Sequence, residues 1–162
     1  MIGIQLREKI LACDFLSQCF IGVLAAEEVR FKLRQAKSPS YCIVNTDKAS
    51  EGGSHWYAIF KHSPSSFEVM DSLGTTQEEV TARLGKEGKP FDCQFNECPV
   101  QTEQSSQCGE FCYYFCFVRL ANYEQSFEEV FSECFVYDLD RNELIVSQFW
   151  RTGILPDFDS EK

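Results

Sequence analysis

The spacing of apolar residues along the chain predicts a short series of helices and strands. QLREKILACDFL (5–16) sets Leu6, Ile10, Leu11 and Phe15 on one face at helical intervals. YCIV (41–44), WYAIF (56–60) and FEVM (67–70) are short β-rich runs, and KHSPSS between the last two reads as a hairpin connection. Glu68, on the face opposite Val69, is expected to meet solvent. TTQEEVTARLG (75–85) has a Thr cap, acidic residues in its first turn and Gly85 as a stop, which predicts a surface helix. FDCQFNEC (91–98) turns Phe91, Cys93 and Phe95 to one side, as a half-buried strand does. CGEFCYYFCFVRLANY (108–123) is apolar nearly all round, so it belongs at the centre of a core. SFEEVF (126–131) carries a capping box in Ser126 and Glu129, and DRNE (140–143) offers a second in Asp140 and Glu143. Helices flanking a small, mostly antiparallel sheet define an α+β fold. With no internal repeat or linker, the expected organisation is one domain over 1–150 and a partly disordered tail over 151–162.

Composition narrows this picture. The 162 residues are 44% hydrophobic and include fifteen Phe, enough for a packed core without disulfides. The net charge of −10 argues against a domain that grips nucleic acid by its phosphates. The densest basic cluster, RFKLRQAK (30–37), reads first as a solvated face and second as a weak anion or partner site. No run of eighteen apolar residues is present to span a membrane. Arg7, Glu8 and Lys9 interrupt the first apolar pattern, unlike a signal peptide, so an intracellular, non-secreted protein is expected. The nine cysteines then read as thiols. Cys108, Cys112 and Cys116 recur every four residues, but the outer two are too far apart on a helix to share a zinc ion. No metal site is expected, and Cys112 and Cys116 read as small buried hydrophobes.

Cys108 differs from its neighbours because it opens the central helix. There a sulfur faces unpaired N–H groups and the positive end of the helix dipole, which favour thiolate. Gly109 beside it leaves the approach uncrowded. A thiolate nucleophile needs an imidazole in reach, and the imidazole needs an orienting acceptor. His55 heads one predicted strand and Asp71 ends the next. If the hairpin reverses around residues 62–66, antiparallel pairing makes them neighbours. Each also has a bland reading, a packed histidine and a turn residue. His62 lies near the hairpin tip, remote from Asp71. An oxyanion needs donors; the Cys108 backbone N–H is one, and Gln101, Gln104 or Gln107 could supply a side-chain amide. Spacing alone does not choose among the three.

CIVNTDKASEGGSHW (42–56), FEVMDSLG (67–74) and VQTEQSSQCGEFC (100–112) resemble the adenovirus-type cysteine endopeptidases, the adenain family. Fainter echoes lie in FIG (20–22) and RNELI (141–145). SUMO- and ubiquitin-like proteases share the same order of residues, with the glutamine usually one position closer to the cysteine. The resemblance implies a papain-like superfold in which His55 is the base, Asp71 its orienter, Cys108 the nucleophile and Gln101 the oxyanion donor. Adenovirus enzymes typically place Glu where this chain has Asp71. Gly52 and Gly53 would let an extended substrate pass close to the base, and Trp56 would shield the imidazole from water.

The same resemblance implies cleavage of Gly-containing sites in viral or virus-like-element precursor and capsid proteins during particle maturation. It places such a protein in the virion and the host nucleus; separately, a monomer without membrane partners is expected. No cofactor is needed for the chemistry. Adenovirus enzymes are stimulated by DNA and by a disulfide-linked peptide. The acidic balance argues against tight DNA binding, and neither Cys93 nor Cys98 is marked as the peptide's partner. The alternatives are an isopeptidase for ubiquitin-like modifiers and an inactive, protease-derived binding module.

Overall fold

The computed structural model describes residues 3–46, 55–84 and 92–156. Five strands, β1 (Phe20–Ala25), β2 (Ser40–Asn45), β3 (Trp56–Ser63), β4 (Ser66–Met70) and β5 (Asp92–Phe95), form one sheet in sequence order. Seven α-helices are described: α1 (Gly3–Leu11), α2 (Asp14–Ser17), α3 (Val29–Gln35), α4 (Gln77–Leu84), α5 (Cys108–Ala121), α6 (Phe127–Cys134) and α7 (Leu139–Thr152). The α+β class expected from the sequence is the one observed.

The pairing is more mixed than expected. β2–β3 and β3–β4 are antiparallel, whereas β1–β2 and β4–β5 are parallel. Each outer strand is joined to its neighbour by a connection that includes a helix, α3 or α4, and such crossovers allow parallel pairing. β1 and α3 were not foreseen. FIGVLA is a six-residue run without alternation, and the charges of RFKLRQAK mask the buried stripe of Val29 and Leu33.

Both faces of the sheet are covered, which accounts for the continuous apolar runs in β2 and β3. Tyr41, Ile43, Trp56, Ala58, Phe60 and Met70 join the core built with α5, α6 and α7. Cys42, Val44, Tyr57, Ile59 and Val69 pack on the other side with Val29, Leu33 and Val80. The helix α5 is buried on nearly every side, as its composition predicts.

Three local expectations are corrected. The amphipathic segment 5–16 is broken: α1 ends at Leu11, Cys13 is extended, and α2 restarts at Asp14. Leu6 and Ile10 are therefore buried while Leu11 and Phe15 stay half-exposed. Glu68 does not meet solvent. It lies opposite Phe60 in the β3–β4 register and so faces α5, where Arg119 Nε donates to it at 2.7 Å. Both partners are buried, and Arg119 also donates to the carbonyls of Asn122 and Tyr123. The cap of α7 is Asp138, which accepts from the Arg141 N–H at 3.2 Å, and not Asp140. Glu143 is drawn away by tertiary structure, accepting from the backbone and hydroxyl of Thr102 at 3.0 and 2.5 Å. The Ser126–Glu129 capping box forms as expected.

Candidate active site

Antiparallel pairing of Ala58 with Met70 brings the residues before β3 and after β4 to one end of the sheet. His55 Nε2 lies 2.6 Å from Asp71 Oδ1 there. The Asp71 side chain is 3% exposed and that of His55 16%, so the contact is largely shielded from water. The carboxylate is held by more than the imidazole. Oδ1 also accepts from the Leu73 N–H at 3.0 Å, and Oδ2 accepts from Arg83 Nη1 at 3.0 Å. The Arg83 guanidinium in turn sits 4.0 Å from the centre of the Tyr57 ring. Asn96 brackets the Asp71 peptide, accepting from its N–H at 3.0 Å and donating to its carbonyl at 2.6 Å.

With Nε2 turned to Asp71, Nδ1 is the ring nitrogen left to face Cys108, whose side chain is near enough to help raise the imidazole. Cys108 is the first residue of α5 and is 7% exposed. The Phe111 N–H donates to the Gln107 carbonyl at 3.0 Å, so the amides of Cys108, Gly109 and Glu110 precede the helix's own ladder.

The turn after Asp71 positions Gln101 as well. The Ser72 carbonyl accepts from the Val100 and Gln101 N–H groups at 2.8 and 3.0 Å. The Ser72 hydroxyl donates to Gln101 Oε1 at 2.5 Å, and Gln101 Nε2 donates to the Ser105 carbonyl at 2.7 Å. An amide nitrogen has two hydrogens, and the second of Gln101 has no partner among the described residues. Gln101 is 2% exposed, Gln104 is exposed, and Gln107 reaches instead to the Ser147 hydroxyl at 2.5 Å. The turn itself needs Gly74. Its φ of +81° lies in the left-handed region, and a Cβ there would stand 2.4 Å from the Glu97 carbonyl oxygen.

Burial opposes charge on His55, but the carboxylate of Asp71, which accepts from the ring, and the nearby Cys108 outweigh it and raise the imidazole to about 9. Burial likewise opposes charge on Asp71, and the His55 hydrogen bond together with Arg83 holds the carboxyl below its usual range. At neutral pH the pair therefore carries imidazolium against carboxylate. A histidine raised in the folded state contributes stability that is complete below its unfolded value of 6.5 and is lost as pH rises through about 9. Asp71, being depressed, contributes above its unfolded value and loses that contribution in acid. Any activity that needs the imidazolium should accordingly fall above about pH 9, as a pH series of initial rates would read.

The structure thus brings His55, Asp71 and Cys108 together, with Gln101 tied to the same turn as Asp71. Trp56 is buried and packs toward Gly3, and Gly109 is buried in the first turn of α5. Gly52 and Gly53 lie outside the described residues. His62 is occupied elsewhere, stacked on Tyr123 at 4.7 Å. Cys112 and Cys116 are fully buried, and burial pushes both thiols up. Sequence reasoning did not single out Ser72, Arg83 or Asn96, and it read Glu143 as a capping residue only. Only Ser72, adjacent to Asp71, carried a local signal. Among the described residues no His, Cys, Asp and Glu group is placed to hold a metal ion, and no helix is long and apolar enough to cross a membrane.

No family model and no curated protein matches the chain. Solved structures with a similar course of chain include the ASFV pS273R protease, at 24% identity and a TM-score of 0.45 over 73% of this chain and 44% of that one. The central domain of the uncharacterized Lpg1148 protein from Legionella pneumophila is 13% identical, with a TM-score of 0.45 over 83% and 88%. ChlaDub1 from Chlamydia trachomatis is 16% identical, with a TM-score of 0.48 over 92% and 74%. The chain spans less than half the length of the ASFV protein. At these identities and scores the likenesses do not bear on chemistry, which rests on the side chains.

Proposed function

We propose that the protein is a cysteine endopeptidase. The observation that carries this reading is the His55 imidazole, hydrogen-bonded through Nε2 to Asp71 at 2.6 Å, with Cys108 near enough to help raise it. A cysteine attacks a carbonyl carbon through its sulfur, with an adjacent imidazole to manage the proton. In the reaction the Cys108 sulfur adds to the scissile carbonyl, and His55 gives its proton to the leaving amine. The resulting thioester is hydrolysed by water that His55 deprotonates. The carbonyl oxygen becomes an oxyanion at the start of α5, where the Cys108 N–H and the second N–H of Gln101 are the donors in this reading. Asp71 holds the imidazole in orientation and stabilises its charge.

The substrates supported by the sequence resemblance are Gly-containing segments of viral or virus-like-element precursor proteins. Incubation with Gly-rich peptides, and mapping of new termini by mass spectrometry, tests this directly. A conjugate of a ubiquitin-like modifier with a fluorophore, run in parallel, separates peptide from isopeptide preference. Gln101→Ala should lower turnover by roughly 10²–10³, the scale of one lost oxyanion donor, with little change in KM. Unchanged turnover would remove Gln101 from the mechanism.

A further inference from the structure

Arg83 is a cation placed against the acid of the site by a helix that otherwise lies on the far side of the sheet. α4 packs with α3 over the face bearing Tyr57 and Val69, and α5 covers the opposite face. From α4 the guanidinium reaches the one carboxylate oxygen of Asp71 that His55 does not use, at 3.0 Å. The Tyr57 ring lies 4.0 Å from the guanidinium, which confines its plane, and the side chain is 19% exposed. We propose that Arg83 is a positioning residue of the reaction, holding Asp71 Oδ2 so that Oδ1 faces His55 and taking a share of the carboxylate's charge. This rests on the proteolytic reading of the site.

The consequence is electrostatic as well as geometric. A carboxylate serving two cations stabilises each less than it would alone. Arg83 therefore moderates the hold of Asp71 on the imidazolium, so that the proton remains transferable to a leaving amine instead of being locked on nitrogen. Among the described residues, the titratable groups around this pair are few. Cys108 and the fully buried thiol of Cys112 lie on α5, and burial keeps the Cys112 thiol protonated. On β3 the hydroxyl of Tyr57 is likewise raised by burial. On the outer side, Glu27 and Arg30 line the same cleft as Arg83, and Arg30 Nη2 donates to the Ala82 carbonyl at 2.9 Å. Arg83 is the cation in hydrogen-bond contact with the Asp71 carboxylate besides His55.

The test uses the small histidine count, since only His55 and His62 contribute imidazole resonances. The His55 signal, assigned by its loss in His55→Ala, is titrated by NMR in the unmodified protein, in Arg83→Gln and in Arg83→Lys. Removing the charge in Arg83→Gln should move the His55 titration upward by roughly half a unit or more. Arg83→Lys keeps the charge and should titrate near the unmodified protein, while losing the planar fork that fixes Oδ2. Turnover of a Gly-rich peptide should fall about tenfold in Arg83→Gln with KM nearly unchanged, as a tenfold loss is ordinary for a misaligned catalytic pair. Should Arg83→Gln not fold, Arg83→Met, an uncharged side chain with an unbranched stem, reads the same titration. An identical His55 titration with and without the Arg83 charge would overturn the proposal. The titration needs no substrate. A shift in a protein that cleaves nothing would sink the protease reading alone, and cleavage without a shift would sink the role of Arg83 alone.

Discussion

Replacing Cys108 by alanine is expected to reduce hydrolysis of a Gly-rich peptide to the uncatalysed level, while leaving the fold intact. The sulfur is the atom that bonds to the substrate, and alanine offers no nucleophile for His55 to assist. The structural cost should be small, because the first turn of α5 keeps its backbone and Phe111, Cys112 and Phe115 keep their burial. Loss of activity should thus appear without a large change in urea midpoint. Residual cleavage at the parent rate would mean that another of the nine cysteines, or no cysteine, does the work. Among the others, Cys42, Cys112, Cys116 and Cys134 are buried with thiols pushed up, and Cys93 is raised too, to about 12.

Asp71→Ala should cost nearly as much, on the order of 10³–10⁴-fold in turnover, the scale on which loss of a triad acid is felt. The carboxylate accepts from His55, Leu73 and Arg83 at once, and its removal strips the imidazole of both orientation and countercharge. The sign of the accompanying pH change follows. With Asp71 gone, burial is the larger influence left on His55, so its titration should fall from about 9. The alkaline limit of any remaining activity should move down with it. Asp71→Asn separates the two contributions. Its amide oxygen can still accept from the ring, so it should retain more activity than alanine while showing the lowered limit. Full activity in Asp71→Ala would show that the 2.6 Å contact serves packing only.

Much of this site was legible before the structure because two local rules place it. Antiparallel hairpin geometry makes the head of one strand and the end of the next adjacent, which put His55 beside Asp71. An all-round apolar segment has to be a core helix, which put Cys108 at a helix mouth facing the sheet. What escaped depends on contacts without a local period. Asn96 reaches Asp71 across 25 positions and Arg119 reaches Glu68 across 51, and neither spacing leaves a mark in a window of one helix or strand. Glu143 looked like a capping residue because its neighbours fit that pattern, yet Thr102 recruits it. Arg83 was simply a base in the last turn of a surface helix, where such residues are common. Likewise β1 was missed because its apolar run was too short and too uniform to tell strand from helix.

The central claim is that the Cys108 sulfur and the His55 imidazole act as one chemical unit. Limited alkylation by iodoacetamide at pH 7, followed by peptide mapping, tests it without any assumption about substrate. Cys108 should be labelled ahead of the remaining thiols in the unmodified protein, and His55→Ala should slow that labelling at least about tenfold. Equal labelling of Cys108 with and without the imidazole would contradict the claim.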